Sequence, residues 1–197
     1  MKILIGMPCG ETIKTDTVFD LVRGMAALRA DGHTLGFATE EGTLVDENQN
    51  RLAQAALDAG VDALWLIDSD MTFDPRVGVA LARHLTYGGH DVVGCTYPKR
   101  KFPHNLVGKH LDGRKFERYE VGEQQVDYLG TGMLMIRTAL FRTFPRPWFK
   151  CIAGAESSDY VGNDMFFCRA VGAPIICDFD YSRDVGHTGQ ITHRMDA

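Results

Sequence analysis

The chain has 197 residues, 45% hydrophobic and 24% charged, with a formal net charge of −5. That composition excludes a disordered chain, and the acidic balance argues against a surface coated for nucleic acid. The length suits one domain able to bury about 70% of its unfolded surface, so folding needs no disulfide or metal staple.

Residues 3–7 (ILIGM) read as a buried first strand that stops at Pro8-Cys9-Gly10. From Val18, apolar residues recur at Leu21, Val22, Met25 and Leu28 with helical spacing. Asp16 is the expected N-cap and Gly32 the expected stop. Residues 33–39 form a second strand. Leu52, Ala55, Ala56 and Ala59 mark a second helix ended by Gly60. Residues 63–67 (ALWLI) are a third strand ending at Asp68-Ser69-Asp70. Pro75 opens a third helix with Val79, Leu81, Ala82 and Leu85 as core positions, and residues 91–97 are a fourth strand.

This β-α-β-α-β-α-β alternation predicts a parallel sheet with helices on both faces, whose ligands bind beyond the carboxyl ends of the strands. The rhythm then changes. Residues 98–125 are polar, 128–136 (YLGTGMLMI) read as a strand interrupted by Gly-Thr-Gly, 163–171 as a helix and 174–179 as a last strand. With no linker or repeat, the expectation is one domain with a small mixed second lobe. Residues 1–97 hold 7 Lys and Arg against 14 Asp and Glu; residues 98–197 hold 14 against 12. Lys99, Arg100, Lys101, Lys109, Arg114, Lys115 and Arg118 concentrate the positive charge, with Tyr97, Phe102 and Phe116 among them. Such a segment is a solvated loop, a diphosphate or acceptor site, or a stacking platform for a base or sugar.

The five cysteines form no CxxC pair. Buried thiols in a reducing compartment are the simplest reading. The opening MKILIGMPCGE is too short for a signal peptide, and no apolar run is long enough to span a membrane. A cytoplasmic protein is expected.

The sharpest motif is LWLIDSDMTF at 64–73. A buried strand delivers two carboxylates, Asp68 and Asp70, into one loop, where they raise each other's pKa unless a cation compensates. Mg²⁺ or Mn²⁺ takes oxygen ligands and holds the oxygens of a diphosphate. The plain alternative is that both residues cap the loop and the next helix. Gly130-Thr131-Gly132 is either a bulge or a place where ligand approaches backbone. Asp164 lies at a helix start, where a carboxylate is also simply favourable.

The order of these blocks resembles the nucleotide-sugar-dependent glycosyltransferases of the GT-A fold, especially the family 2-like ones. The resemblance rests on MPCG after the first strand, Asn50-Arg51 before the helix leading to the DSD strand, VVGCTYPKRK, YLGTGMLMIR, NDMFFCRAVGAP and GHTG. It implies a single GT-A-like, Rossmann-like domain, with 1–97 as nucleotide-binding half and 98–197 as acceptor-side half. Pro8, Cys9, Gly10, Arg51 and Ser69 would contact the donor nucleotide sugar. Asp68 would face ribose or metal, Asp70 would be the main ligand of Mn²⁺ or Mg²⁺, and His187 would complete the metal site, with His193 a weaker candidate. Gly130, Thr131 and Gly132 would line the sugar or acceptor pocket, and Asp164 would be the general base of an inverting transfer. Tyr97, Lys99 and Arg100 would stand on the acceptor or phosphate side. The implied acceptor is a hydroxyl, of a glycan or of a hydroxymethylated DNA base. Asn163 departs from the pattern, since many relatives are acidic there.

Two other readings stand beside this one. DSDMT also fits the DxDx[TV] motif of haloacid dehalogenase-like phosphatases, where the first Asp is a nucleophile. Those enzymes place it after the first strand of the core, not the third. A non-catalytic nucleotide-sugar binding module would keep the Asp pair without turnover. His33, His84, His90, His104 and His110 carry no role in any of these readings.

Overall fold

A computed structural model describes residues 1–100, 103–153, 160–188 and the backbone of 192–193. Its strands sort apolar side chains by the two-residue period onto opposite faces of one sheet. Ile3, Ile5 and Met7 join one core cluster with Ala63, Trp65 and Ile67. Leu4 joins the other with Leu64 and Leu66.

The chain order is β1 (Lys2–Cys9), α1 (Thr15–Ala30), β2 (Thr34–Glu41), α2 (Val45–Asp58), β3 (Ala63–Ile67), β4 (Met71–Phe73), α3 (Arg76–Tyr87) and β5 (Val92–Gly94). It continues with β6 (Gly108–His110), β7 (Glu123–Leu129), β8 (Met133–Arg137), a 3₁₀ turn at Thr138–Arg142 and α4 (Asn163–Ala170). Last come β9 (Ile175–Asp178), α5 (Phe179–Ser182), β10 (Val185–Thr188) and β11 (Thr192–His193). Eight strands form the main sheet in the order β2-β1-β3-β8-β5-β9-β7-β6. Leu21, Leu28, Val77 and Leu81 of α1 and α3 cover one face; Leu52 and Ala56 of α2 with Phe167 of α4 cover the other. Helices on both faces are therefore as expected.

The sheet is mixed rather than mostly parallel. β1 pairs parallel with β2 and β3, and β5 with β9. β8 enters antiparallel between β3 and β5, and β7 runs antiparallel to both β9 and β6. The tract 128–136 is accordingly not one interrupted strand. It spans the end of β7 and most of β8, which are separated in the sheet by β5 and β9. The small second sheet is antiparallel, β11-β10-β4, and borrows β4 from the first half of the chain.

Several local expectations shift. Lys14, not Asp16, precedes α1 as its N-cap, and Asp16 sits in the first turn. Val18 and Val22 are exposed, and Thr17 and Gly24 occupy the buried face in their place. Val79 is only half-buried, and the fourth strand is shortened to Val92–Gly94. All five cysteines are free thiols. Among the described residues no helix is long and apolar enough to cross a membrane.

Asn50 and Arg51 lie in the middle of α2, not ahead of it. Asn50 is buried. Its amide donates to the carbonyls of Asp46 and Phe149, both at 2.7 Å, and accepts from the N–H groups of Trp148 (2.8 Å) and Phe149 (3.3 Å). It thus ties residues 148–149, and the aromatic cluster they join, to α2. Asn50→Ala leaves these buried backbone groups unpaired and should destabilise the protein by about 2 kcal/mol, seen as a lower urea midpoint at unchanged m-value.

Candidate functional site

The DSD turn is a tight reversal between β3 and β4, closed by the Met71 N–H donating to the Asp68 carbonyl at 3.2 Å. The Ser69 carbonyl accepts from the Lys14 N–H at 2.9 Å, tying the turn to the start of α1. β4 then pairs with β10 so that Met71 stands opposite His187. The Thr188 N–H donates to the Asp70 carbonyl at 2.7 Å. This ladder brings His187, from the far end of the chain, beside Asp70. Its Nε2 lies 3.2 Å from Asp70 Oδ1.

His187 has a fixed tautomer when neutral. Its Nδ1 sits 3.2 Å from the Pro98 carbonyl, which can only accept, so Nδ1 donates. Nε2 then presents a lone pair toward the carboxylate. It is buried and lies within ion-pair distance of Asp70 without a well-directed hydrogen bond. Two lone-pair donors facing each other call for a proton or a metal between them. Arg100 supplies a cation on the other carboxylate oxygen, at 2.9 Å. Burial opposes ionisation of Asp70, but the His187 ring and the Arg100 guanidinium outweigh it and hold its carboxyl below the usual range.

Asp68 is in the opposite condition. Burial and the charge of Asp70 push its pKa up to about 6, with His187 and Arg100 only partly relieving it. Its carboxylate is turned toward Gly132. A Cβ there would stand 2.6 Å from Asp68 Oδ2 and 2.7 Å from the Tyr97 hydroxyl. A Cβ on Gly130 would also collide with the Tyr97 hydroxyl. Neither glycine has positive φ, so close approach is what requires them. The Tyr97 hydroxyl accepts from the Gly132 N–H at 3.0 Å. Burial, then the charges of Asp68 and Asp164, raise the Tyr97 pKa well above normal and keep it a neutral phenol. Tyr97 also meets His187 edge-on at 5.5 Å.

Asp164 begins α4. Burial raises its pKa against the Met165 N–H, which donates to Oδ1 at 2.7 Å, and against the nearby charge of Lys99. Asn163 beside it donates to Gln49 Oε1 at 2.6 Å, and Gln49 Nε2 donates to the Thr131 hydroxyl at 2.8 Å. The amide at 163 therefore locks α4, α2 and the Gly-Thr-Gly turn together, and the Thr131 hydroxyl is engaged in the same relay.

The structure thus gathers Asp68, Asp70, Tyr97, Lys99, Arg100, Gly132, Asp164 and His187 around the carboxyl ends of β3 and β5. Pro8, Cys9 and Gly10 line a separate small cleft of about 110 Å³ with Gly42, Thr43 and Asn48, beyond the ends of β1 and β2. Burial, then Glu41 and Glu40, raise the Cys9 thiol pKa, so it is no ready nucleophile. Arg51 is an exposed mid-helix residue paired with Glu47 at 2.6 Å and Glu40 at 3.8 Å. It lines an outer cavity of about 490 Å³ with Arg146, Phe149 and Lys150. Phe116 and Tyr97 are buried, so neither offers a stacking face. Phe116 instead meets His110 and Phe179 edge-on. Lys101, Phe102, the end of GHTG and the side chain of His193 lie outside the described residues.

Sequence reasoning missed two parts of this site. Gln49 was invisible because its partners are distant in sequence. The β4–β10 ladder was invisible because both strands are very short.

No protein-family profile matches the chain, and no curated protein does. Among solved structures the chain is similar to A197 from STIV, at 17% identity and a TM-score of 0.68, over 96% of this chain and 86% of that one. It also matches a glycosyltransferase involved in the glycosylation of the major capsid of PBCV-1, at 13% identity and a TM-score of 0.42, over 75% of this chain and 70% of that one. The first likeness is one of fold alone, and the second supports nothing further.

Proposed function

We propose that the protein is a metal-dependent glycosyltransferase that moves a sugar from a nucleoside-diphosphate sugar to a hydroxyl acceptor with inversion. The observation that carries this reading is the Asp70–His187 pair, a buried imidazole nitrogen 3.2 Å from a carboxylate oxygen at the end of the DSD turn. A divalent cation fits that donor set. Asp70 and His187 would hold it; Asp68, expected to be a ligand as well, has its carboxylate against Gly132 and does not complete a convergent ligand triplet with them. The imidazole favours Mn²⁺ over Mg²⁺. When bound, such an ion stabilises the negative charge that develops on a leaving diphosphate.

The chain's own groups have the remaining tasks. Arg100 and Lys99 place fixed cations on the leaving-group side. Asp164, whose raised pKa brings its basicity closer to neutrality, takes the proton from the acceptor hydroxyl. Pro8, Cys9, Gly10 and Ser69 form the nucleotide side, and the glycines of the Gly-Thr-Gly turn let the sugar approach the backbone. Residues 1–97 make up the nucleotide half and 98–197 the acceptor half. Tyr97 and Phe116 are buried and offer no stacking face; the acceptor is a hydroxyl of a glycan or of a hydroxymethylated DNA base.

A thermal-shift panel of nucleotide sugars with and without Mn²⁺ tests the donor site. A ligand at 100 times its Kd stabilises by about 2.7 kcal/mol, roughly 5–10 °C for this size. The shift should need both Mn²⁺ and one class of nucleotide, and should vanish in Asp70→Asn. A shift with nucleotide sugar alone, unchanged in Asp70→Asn, would count against the metal.

A further inference from the structure

A second cluster of metal-ligating side chains lies on other elements. His84 is in the last turn of α3, and His90 is in the loop that leads to β5. Glu123 opens β7, where the register sets it opposite Asp178 of β9. Among the described residues, His84, His90 and Glu123 are the one His/Cys/Asp/Glu triplet that offers ligand atoms all within 4.8 Å of one another.

The loop is built for this approach. Gly89 has φ +71°, which turns the chain back on the helix end, and a Cβ on Gly88 would stand 3.0 Å from His90 Cδ2. Arg137 holds the same loop by donating to the Leu85 carbonyl at 2.6 Å and pairing with Asp91 at 2.6 Å.

The hydrogen bonds assign the nitrogen atoms. His84 Nε2 is 2.7 Å from Oδ2 of Asp178. The Asp178 side chain is only 5% exposed and also accepts the Tyr181 N–H through Oδ1 at 3.1 Å. An ionised carboxylate only accepts, so Nε2 carries the hydrogen. Nδ1 of the neutral ring is then a lone pair, 3.4 Å from Glu123 Oε1. His90 Nε2 is 3.2 Å from Glu123 Oε2.

We propose that His84, His90 and Glu123 bind a divalent transition-metal ion of the Zn²⁺ class, with Asp178 as a positioning residue that orients His84. Two imidazoles and one carboxylate suit Zn²⁺ and do not suit Mg²⁺ or Ca²⁺, which take oxygen ligands. Ligand distances of about 2.1 Å around a tetrahedral ion put the ligand atoms about 3.4 Å apart; each imidazole is already 3.2–3.4 Å from one oxygen of Glu123, and all three ligand atoms lie within 4.8 Å of one another. A carboxylate on the far nitrogen of a ligating histidine is the usual outer-shell support for such a site. Three protein ligands would leave a fourth position for water or another ligand. This site shares no residue with the Asp70–His187 pair, so it stands or falls separately from the proposed transfer reaction.

The test uses full-length protein carrying Asp70→Asn, which disables the other candidate metal site. Zn²⁺ is titrated against a chromophoric chelator, and Co²⁺ is added separately as an absorbing probe. The expected result is one Zn²⁺ per chain, unaffected by excess Mg²⁺, with the visible absorption of four-coordinate Co²⁺. His90→Ala and Glu123→Gln should each weaken Zn²⁺ binding at least tenfold and remove the Co²⁺ spectrum, while Asp178→Asn weakens it roughly 10–100-fold. Circular dichroism establishes that each variant is folded. Stoichiometric binding that His90→Ala and Glu123→Gln both leave unchanged, or no Zn²⁺ binding by the folded protein, overturns the proposal.

Discussion

Asp164→Asn should lower the rate of sugar transfer by roughly 10²–10⁴-fold and leave the Mn²⁺-dependent donor shift intact. The asparagine keeps the size of the side chain and an oxygen to accept the Met165 N–H. What it loses is the ability to take a proton. A carboxylate that only started α4 would tolerate this change with a small loss of stability, because its helix-end contribution is about 0.3–1 kcal/mol. The raised pKa of Asp164 comes chiefly from burial, and a partly buried carboxylate steadied by the Met165 N–H suits a base for a substrate hydroxyl. The readout is single-turnover transfer on saturated donor, which separates chemistry from binding. Full rate in Asp164→Asn would mean that another group is the base, or that the transfer is not inverting.

Asp68→Asn should have a large effect of the opposite kind, a gain in stability of the metal-free protein. The Asp68 pKa stands at about 6 against a reference of 3.8. Each unit is about 1.4 kcal/mol, so ionising this group in the folded protein costs about 3 kcal/mol at neutral pH. The sign follows from linkage. Below about pH 4 the carboxyl is protonated both folded and unfolded, and the wild type gains or loses nothing. Between about pH 4 and 6 the unfolded chain ionises first, so wild-type stability falls as pH rises. Above about pH 6 the deficit is constant. Asp68→Asn should therefore match the wild type near pH 4 and exceed it by about 3 kcal/mol, roughly 6–12 °C in Tm, above pH 6.5. Mn²⁺ should narrow the gap by stabilising only the wild-type carboxylate. A difference independent of pH would mean that the Asp68 pKa is not raised in the folded protein.

The sequence suggested that Asp68 and Asp70 raise each other's pKa, whereas burial is the main cause at Asp68, and at Asp70 burial is outweighed by His187 and Arg100, which lower its pKa. Much of the frame around them was legible. The continuous apolar runs 3–7 and 63–67 marked both as buried strands, and the β-α alternation predicted helices on either side. The arrest of an apolar strand at Asp68-Ser69-Asp70 marked the end where ligands bind. Hydrophobic periodicity served less well on α1. Val18 and Val22, which marked its spacing, are exposed, whereas Thr17 and Gly24 are buried. A small residue that permits close packing carries no hydrophobic signal. The tract 128–136 read as one strand because both its parts are apolar. Only tertiary pairing shows that its two halves sit on different strands with two others between them. Asn50 is a similar case, since nothing local distinguishes a buried amide that bonds 98 and 99 residues away from an exposed one. The histidine at 187 could be placed beside Asp70 only by resemblance. Its physical reason, the β4–β10 ladder, involves strands of three and four residues, too short for periodicity to register. His84 and His90 drew no notice because their shared carboxylate, Glu123, lies on another strand. The Gly88-Gly89 turn between them was the one local hint that their rings meet.

The most direct test of the central claim needs no knowledge of the acceptor. Wild-type protein and Asp70→Asn are each incubated with a panel of nucleoside-diphosphate sugars and Mn²⁺, and released nucleoside diphosphate is measured as water takes the place of the acceptor. The account predicts slow release from one class of donor by the wild type, abolished by removing the metal and by Asp70→Asn. No release from any donor, together with hydrolysis of simple phosphate esters that Asp68→Asn eliminates, would contradict it and identify the Asp68-Ser69-Asp70 turn as the nucleophile site of a phosphatase.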